Sequence, residues 1–104
     1  MGELTRIDNA AIRSAAMTLR AVDNRFRQQI LKLLAENSRM IVSDIFVKLR
    51  TEQSITSQHL GILRQANVVI TERDGKFIRY SLNPRRLDAL ATFTEKIASD
   101  LGEN

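Results

Sequence analysis

A mostly α-helical domain carrying one small β-hairpin, in the order α-α-α-α-β-β-α, is the fold class this sequence predicts. Three observations carry it. Residues 53–66, Gln-Ser-Ile-Thr-Ser-Gln-His-Leu-Gly-Ile-Leu-Arg-Gln-Ala, divide on a helical wheel into an apolar side and a side of small uncharged polar groups. Residues 68–82 are rich in β-branched and aromatic residues and are split by Asp74-Gly75, a strong signal of a tight hairpin turn. Three further segments repeat apolar or small residues at steps of three and four, the spacing of a helix face. With 104 residues the chain is read as a single domain, 1–104, whose modest core would gain from dimerisation.

Taken in order, residues 8–22 form the first helix, where Ile7, Ala11, Ala15, Thr18 and Val22 recur at helical steps and small residues permit close packing. The second, 24–37, starts at a cap from Asp23 or Asn24 and sends Phe26, Ile30, Leu33 and Leu34 into the core. Ser43 and Asp44 open a short third helix with Ile45, Val47 and Leu49 as interior candidates, and residues 51–54 turn into the fourth. There Thr56, His59, Leu60 and Leu63 share an arc about 100° wide, opposite Ser54, Ser57, Gln58, Gly61 and Gln65. An ordinary solvated helix carries Glu and Lys on its outer side. Hydroxyls and carboxamides instead donate and accept at base edges, and Gln can pair bidentately with adenine. Gly61 costs the helix about 1 kcal/mol relative to Ala; it is either a tolerated glycine or a point where the backbone must approach a partner.

Beyond the fourth helix, a two-residue loop at Asp74-Gly75 sets Arg73 opposite Lys76 across the hairpin tip. These like charges repel unless an anion such as phosphate lies beside them, or both simply project into water. Asn83 is a good N-cap for the last helix, and Pro84 sits where a missing N–H does no harm. From there Leu87, Leu90, Thr94, Ile97 and Leu101 step by three, four, three and four, a heptad seam with Phe93 beside it. Sixteen Lys and Arg against twelve Asp and Glu leave a formal charge of +4. Placement matters more than the total: Arg64, Arg73, Lys76, Arg79, Arg85 and Arg86 gather around the fourth helix and the hairpin, diluted by Glu72 and Asp74.

A helix followed by a basic-tipped hairpin is a winged helix-turn-helix, and these residues resemble the ArsR/SmtB-type bacterial transcriptional repressors. Four pieces carry the likeness: the Arg-containing helix opening at residues 23–34, Val42-Ser43-Asp44-Ile45, the Gln-Ser-x-x-Ser-x-His-Leu-x-x-Leu pattern of residues 53–63, and the Arg-Asp-Gly-Lys-x-x-x-Tyr wing of residues 73–80. The likeness covers residues 20–82. Where the family usually has Gly after the recognition helix, this chain has Asn67, which tolerates the left-handed conformation better than other non-glycines. The resemblance implies a two-fold dimer through the flanking helices, 1–22 and 84–104, with Ala11, Ala15, Leu87, Leu90, Phe93, Thr94, Ile97 and Leu101 at the interface. Two recognition helices would then meet successive major grooves roughly 34 Å apart. The alternative is that the last helix packs only on its own core.

On this reading Ser54, Ile55, Ser57 and Gln58 read base edges, with Ile55 available for a thymine methyl group. Gln53, Arg64, Arg73, Lys76 and Arg79 hold phosphate and fix register. His59, which is also His in the family pattern, is chiefly structural, with one ring nitrogen bonded to backbone or phosphate. The expected partners are double-stranded DNA and a second copy of the chain, and the expected action is repression at a palindromic operator. Two rivals stand: a winged-helix module that docks a protein through the 87–101 seam, and a constitutive or global regulator without an inducer.

Several classes of chemistry lack their residues. With zero Cys in the chain, no thiol stands at the start of the third helix and no His on the last, so the family's metal-sensing sets are missing and thiol redox sensing is excluded. No cofactor and no metal site are expected; Asp88, Glu95 and Asp100 read as a solvated helix face, with weak ligation of a hard metal ion as the alternative. One His without a nucleophile or paired carboxylates gives no catalytic constellation. No run approaches the roughly 18 apolar residues of a membrane span, and the opening Met-Gly-Glu-Leu-Thr-Arg lacks a signal peptide's apolar core, so a cytoplasmic location is expected.

Overall fold

The computed structural model describes residues 9–102. Its elements are α1 (Asn9–Val22), α2 (Arg25–Asn37), β1 (Met40–Ile41), α3 (Val42–Lys48), α4 (Gln53–Gln65), β2 (Val69–Asp74), β3 (Phe77–Leu82) and α5 (Pro84–Gly102). The expected order holds, with one short strand added between α2 and α3. Among the described residues no helix is long and apolar enough to cross a membrane.

Helix α1 buries Ala15, Thr18 and Ala21, small side chains that let it lie close to its neighbours. The Thr18 hydroxyl, inside that contact, donates to the Ser14 carbonyl at 2.9 Å. Ile7, expected on the same stripe, lies outside the described residues. Of the two candidate caps for α2 it is Asn24 that acts, its Oδ1 accepting from the Arg27 backbone N–H at 2.9 Å. Ile30 and Leu34 of α2 are buried, and Phe26 and Leu33 pack against the core half-buried.

After α2 the chain turns sharply at Ser38, φ 67° and ψ −61°, where the Arg39 N–H donates to the Asn37 carbonyl at 2.7 Å. This is a γ-turn, and it aims Met40 and Ile41 at β3, where they pair with Tyr80 and Arg79. The result is a three-stranded antiparallel sheet in the order β1-β3-β2. Two residues are too few to show an alternating pattern, so β1 has no sequence signature of its own. Helix α3 opens at Val42, one residue before Ser43. Val47, expected inside, is 66% exposed: Ile45 is buried and Leu49 packs on the core one turn later, and a residue two positions from Ile45 necessarily points away from that face.

Helices α3 and α4 end alike. Arg50 (φ 55°) and Asn67 (φ 61°) take the left-handed conformation. Thr51 N–H reaches back to Phe46 O and Arg50 N–H to Val47 O, as Val68 N–H reaches Leu63 O and Asn67 N–H reaches Arg64 O. Both are Schellman motifs, and the second sets Val68 on Leu63, both in the core. Asn67 therefore does what the family's glycine would.

The hairpin register differs from expectation. Asp74 pairs with Phe77 and Arg73 with Ile78, so the loop is Gly75-Lys76 and the Arg73–Lys76 opposition does not occur. Gly75 has φ 65°, while neither Asp74 nor Lys76 has positive φ. A type I′ turn at Asp74-Gly75 needs positive φ at both residues, whereas a type II′ turn needs it only at the first, where Gly75 now sits. The shift also sets Val69 beside Leu82, both against the core, and separates two like charges.

Candidate nucleic-acid interface

The α3–α4 pair is anchored from within. Thr56, Leu60 and Leu63 of α4 and Ile45 of α3 are almost fully buried. Thr56 brings its hydroxyl into that interior without a hydrogen-bond partner among the described residues. On the other side of α4, Gln53, Ser54, Ile55, Ser57, Gln58, Gly61 and Gln65 all stand exposed. The expected division of this helix is thus realised, with a continuous outer row carrying no formal charge. A Cβ built on Gly61 meets nothing within 4 Å. No neighbour among the described residues requires that glycine.

His59 sits on the border between the two sides, and its partner is neither backbone nor a phosphate. The Arg27 guanidinium lies 3.1 Å from Nδ1, and the Phe26 ring is 4.8 Å away, centroid to centroid, tilted by 45°. A guanidinium only donates, so Nδ1 accepts and the ring proton sits on Nε2. Burial, and secondarily the charge of Arg27, hold the imidazole below its ordinary pKa of 6.5. Arg27 itself also donates through Nε to Ala21 O at 2.6 Å and through Nη2 to Arg20 O at 3.3 Å. One side chain of α2 thereby ties the last carbonyls of α1 to the middle of α4. No periodicity marks Arg27 for this task; an Arg in a half-buried helix turn is the faint signal that sequence offered.

At the wing the acidic residues are spoken for. Arg79 Nε pairs with Asp74 Oδ2 and Arg39 Nη1 with Glu72 Oε1, both at 2.8 Å and both exposed. Exposed pairs contribute little, roughly 0–1 kcal/mol, so Arg79 can exchange Asp74 for a phosphate at small cost. Lys76 lies 5.7 Å over the Phe77 ring. Neither Lys76 nor Arg73 has an ion-pair partner among the described residues, and Arg64 points outward from the last turn of α4.

Two residues at the start of α5 serve α4 rather than a ligand. Asn83 donates through Nδ2 to Asn67 O at 2.8 Å, and Arg86 through Nε to Ala66 O at 3.0 Å. Arg86 thus belongs to the C-terminal cap of α4, not to the outward basic patch in which its charge had placed it. Asn83 also caps α5 weakly, its Oδ1 3.4 Å from the Arg86 N–H.

The flanking helices form a separate surface. Ala11, Ala15, Leu90 and Phe93 line a narrow cleft of about 150 Å³ between α1 and α5. Leu87, Leu90, Phe93 and Ile97 are half-buried, Thr94 is exposed with its hydroxyl on Leu90 O, and Leu101 is 67% exposed. Among the described residues no group of three or more His, Cys, Asp or Glu is placed to hold a metal ion.

A short helix, a tight turn, a second helix with its polar row outward and a basic hairpin beside it define a winged helix-turn-helix DNA-binding domain. Residues 26–71 match the family described as bacterial regulatory protein, arsR family. The chain is 39% identical over 64 residues to the transcriptional repressor SdpR of Bacillus subtilis, covering 62% of this chain and 70% of that one. It is 30% identical over 83 residues to the transcriptional activator HlyU of Vibrio cholerae, covering 80% and 76%. An ArsR-like transcriptional regulator from Rhodococcus sp. RHA1 shares the fold, with a TM-score of 0.82 at 22% identity over 88% of this chain and 85% of that one. The chain belongs to the ArsR family: it is a transcriptional regulator with a DNA-binding helix-turn-helix, and neither the family nor these relatives are enzymes.

Proposed function

We propose that the protein is a homodimer that binds a palindromic operator sequence-specifically, acts in the cytoplasm and represses transcription by occupying that site. The observation that carries the reading is the outer row of α4: Ser54, Ile55, Ser57 and Gln58 are exposed, uncharged and held by a buried inner row. A surface that binds DNA through charge alone would present Lys and Arg there. Base readout needs groups that both donate and accept. Phosphate contacts fall to Gln53, Arg64, Arg73, Lys76 and Arg79, which flank the row. Dimerisation runs through α1 and α5, whose half-buried apolar row and small-residue cleft have the form of a helix-packing surface.

Selection of bound fragments from a randomised duplex pool, at about 0.15 M salt to suppress non-specific phosphate binding, tests this. Enrichment of an inverted repeat with half-sites one or two helical turns apart is the expected result. Binding without enrichment would reduce the reading to electrostatic affinity, and no binding at low salt would end it. A reporter carrying the selected site between promoter and gene then decides the sign: expression should fall when the protein is supplied.

A further inference from the structure

Between the end of α1 and the second half of α4 lies a cleft of about 440 Å³, lined by Met17, Arg20, Ala21, Asp23 and Arg27 on one side and Ile62, Gln65 and Ala66 on the other. The DNA-binding reading assigns it no role. Its volume falls within the range of small-molecule sites, roughly 300–1,000 Å³. The α1–α5 cleft, at about 150 Å³, is well below that range. A cleft of similar size beside α3 includes Arg39, which is already paired with Glu72.

The α1–α4 cleft is chemically asymmetric. Ala21 and Ala66 are buried in its floor, while Met17 and Ile62 hold 46% and 40% of their surface in the open, apolar area that no neighbour among the described residues covers. Against this stand two guanidiniums and one carboxylate. Neither the Arg20 guanidinium nor the Asp23 carboxylate has a hydrogen-bond or ion-pair partner among the described residues, and Arg27 carries the link to His59. Net positive charge over an apolar wall suits a small amphipathic organic acid, its carboxylate on the arginines and its hydrocarbon part on Met17 and Ile62.

We propose that this cleft is an effector site for such an acid, a reading of regulation that rests on α4 being the DNA-reading helix. A carboxylate between Arg20 and Arg27 competes with His59 for the Arg27 guanidinium. When Arg27 turns to the ligand, α4 loses its side-chain tie to α1, and the outer row loses its fixed placement. Coupling is reciprocal, so operator DNA should weaken the acid's binding by the same factor as the acid weakens the DNA's.

Titration of ¹⁵N-labelled protein with octanoate, benzoate and indole-3-acetate, beside octanamide and inorganic phosphate, tests the site without reference to DNA. At least one acid should shift the amides of Met17, Ala21, Ile62 and Ala66. For octanoate the contrast is with octanamide, roughly tenfold weaker for want of the charged hydrogen bond. Arg20→Gln, an exposed substitution that leaves the Arg27 contacts in place, should weaken the acid severalfold, toward the amide's level, and leave the amide's own binding unchanged. Shifts centred elsewhere, silence from all three acids, equal binding of acid and amide, or phosphate alone matching the acids would each overturn the proposal. Fluorescence anisotropy on the selected operator then reads the coupling. The acid should raise the Kd for DNA in the wild type, whereas His59→Gln should still bind the acid and lose that effect. Should the protein bind no DNA at all, the amide shifts still decide whether the cleft is a site.

Discussion

The inner face of α4 and the apolar row of α5 obey the same three-and-four spacing and end in different states. Leu60 and Leu63 are sealed within one chain, whereas Leu87, Leu90, Phe93 and Ile97 are only half covered and Leu101 stands out in solvent. Helix α4 lies over α3 and against β2 and reaches α2, so each apolar residue on its inner side meets another. Among the described residues, helix α5 packs chiefly on α1, with only its first turn reaching the core through Leu87 and the end of α4 through Arg86. An amphipathic pattern states that a face will be covered; it does not state by which chain.

This contrast is open to attack by mutation. Leu63→Ala removes a side chain with no exposed surface and should cost about 2–5 kcal/mol in urea or thermal unfolding; a loss under about 1 kcal/mol would mean the α4 interior is not close-packed. Along the outer row, Gln58→Ala should cost about 1–3 kcal/mol at the selected operator and little on random DNA, while Lys76→Ala should weaken both and shallow the salt slope by about one. Equal losses for the two variants on both DNAs would erase the division between base readout and phosphate contact.

Gly61→Ala should raise the unfolding free energy by about 0.5–1 kcal/mol, since the new methyl enters open space. If it also weakens the cognate complex, the glycine exists for a close approach to DNA; if DNA affinity is unchanged, it is a tolerated glycine. Ile97→Glu should change the stability of the isolated chain by no more than about 0.5 kcal/mol and abolish association in light scattering. Unfolding on this substitution would show that α5 packs only on its own core.

The smallest effect is electrostatic. Because His59 is held below its ordinary value of 6.5, the unfolded chain binds the proton first, and stability should fall as pH drops below about 6.5 towards the folded-state value. Above that the contribution is complete. Urea midpoints at about pH 7.5 and 5.5 should differ less in His59→Gln than in the wild type; an unchanged difference would show that the Arg27–His59 contact does not govern it.

Much of this protein was legible in one dimension because its signals are local. The polar row of α4, a cap at Asp23 or Asn24 and the left-handed turn at Asn67 depend on residues within a few positions of one another. The hairpin was legible in kind and wrong in register: Asp-Gly is a turn signal in either frame, and the choice fell to packing of Val69 and Leu82 and to the single positive φ that Gly75 supplies. Val47 was misplaced because a seven-residue helix has too few turns for its face to be read from spacing.

By itself, then, the sequence determined the class of domain, the two-sided division of α4 on which the proposed DNA reading rests, and the absence of thiol ligands, since these follow from residue type and short-range spacing. Only the tertiary structure decided that β1 completes the sheet, that Arg86 caps α4, that Arg27 joins α1 to His59, and that a cleft with an apolar wall lies beside that joint. Each is a meeting of residues from separate elements, such as Met40 and Tyr80, which lie 40 positions apart in the chain. Such meetings are set by how the helices and sheet bury their faces together, and no local pattern encodes them.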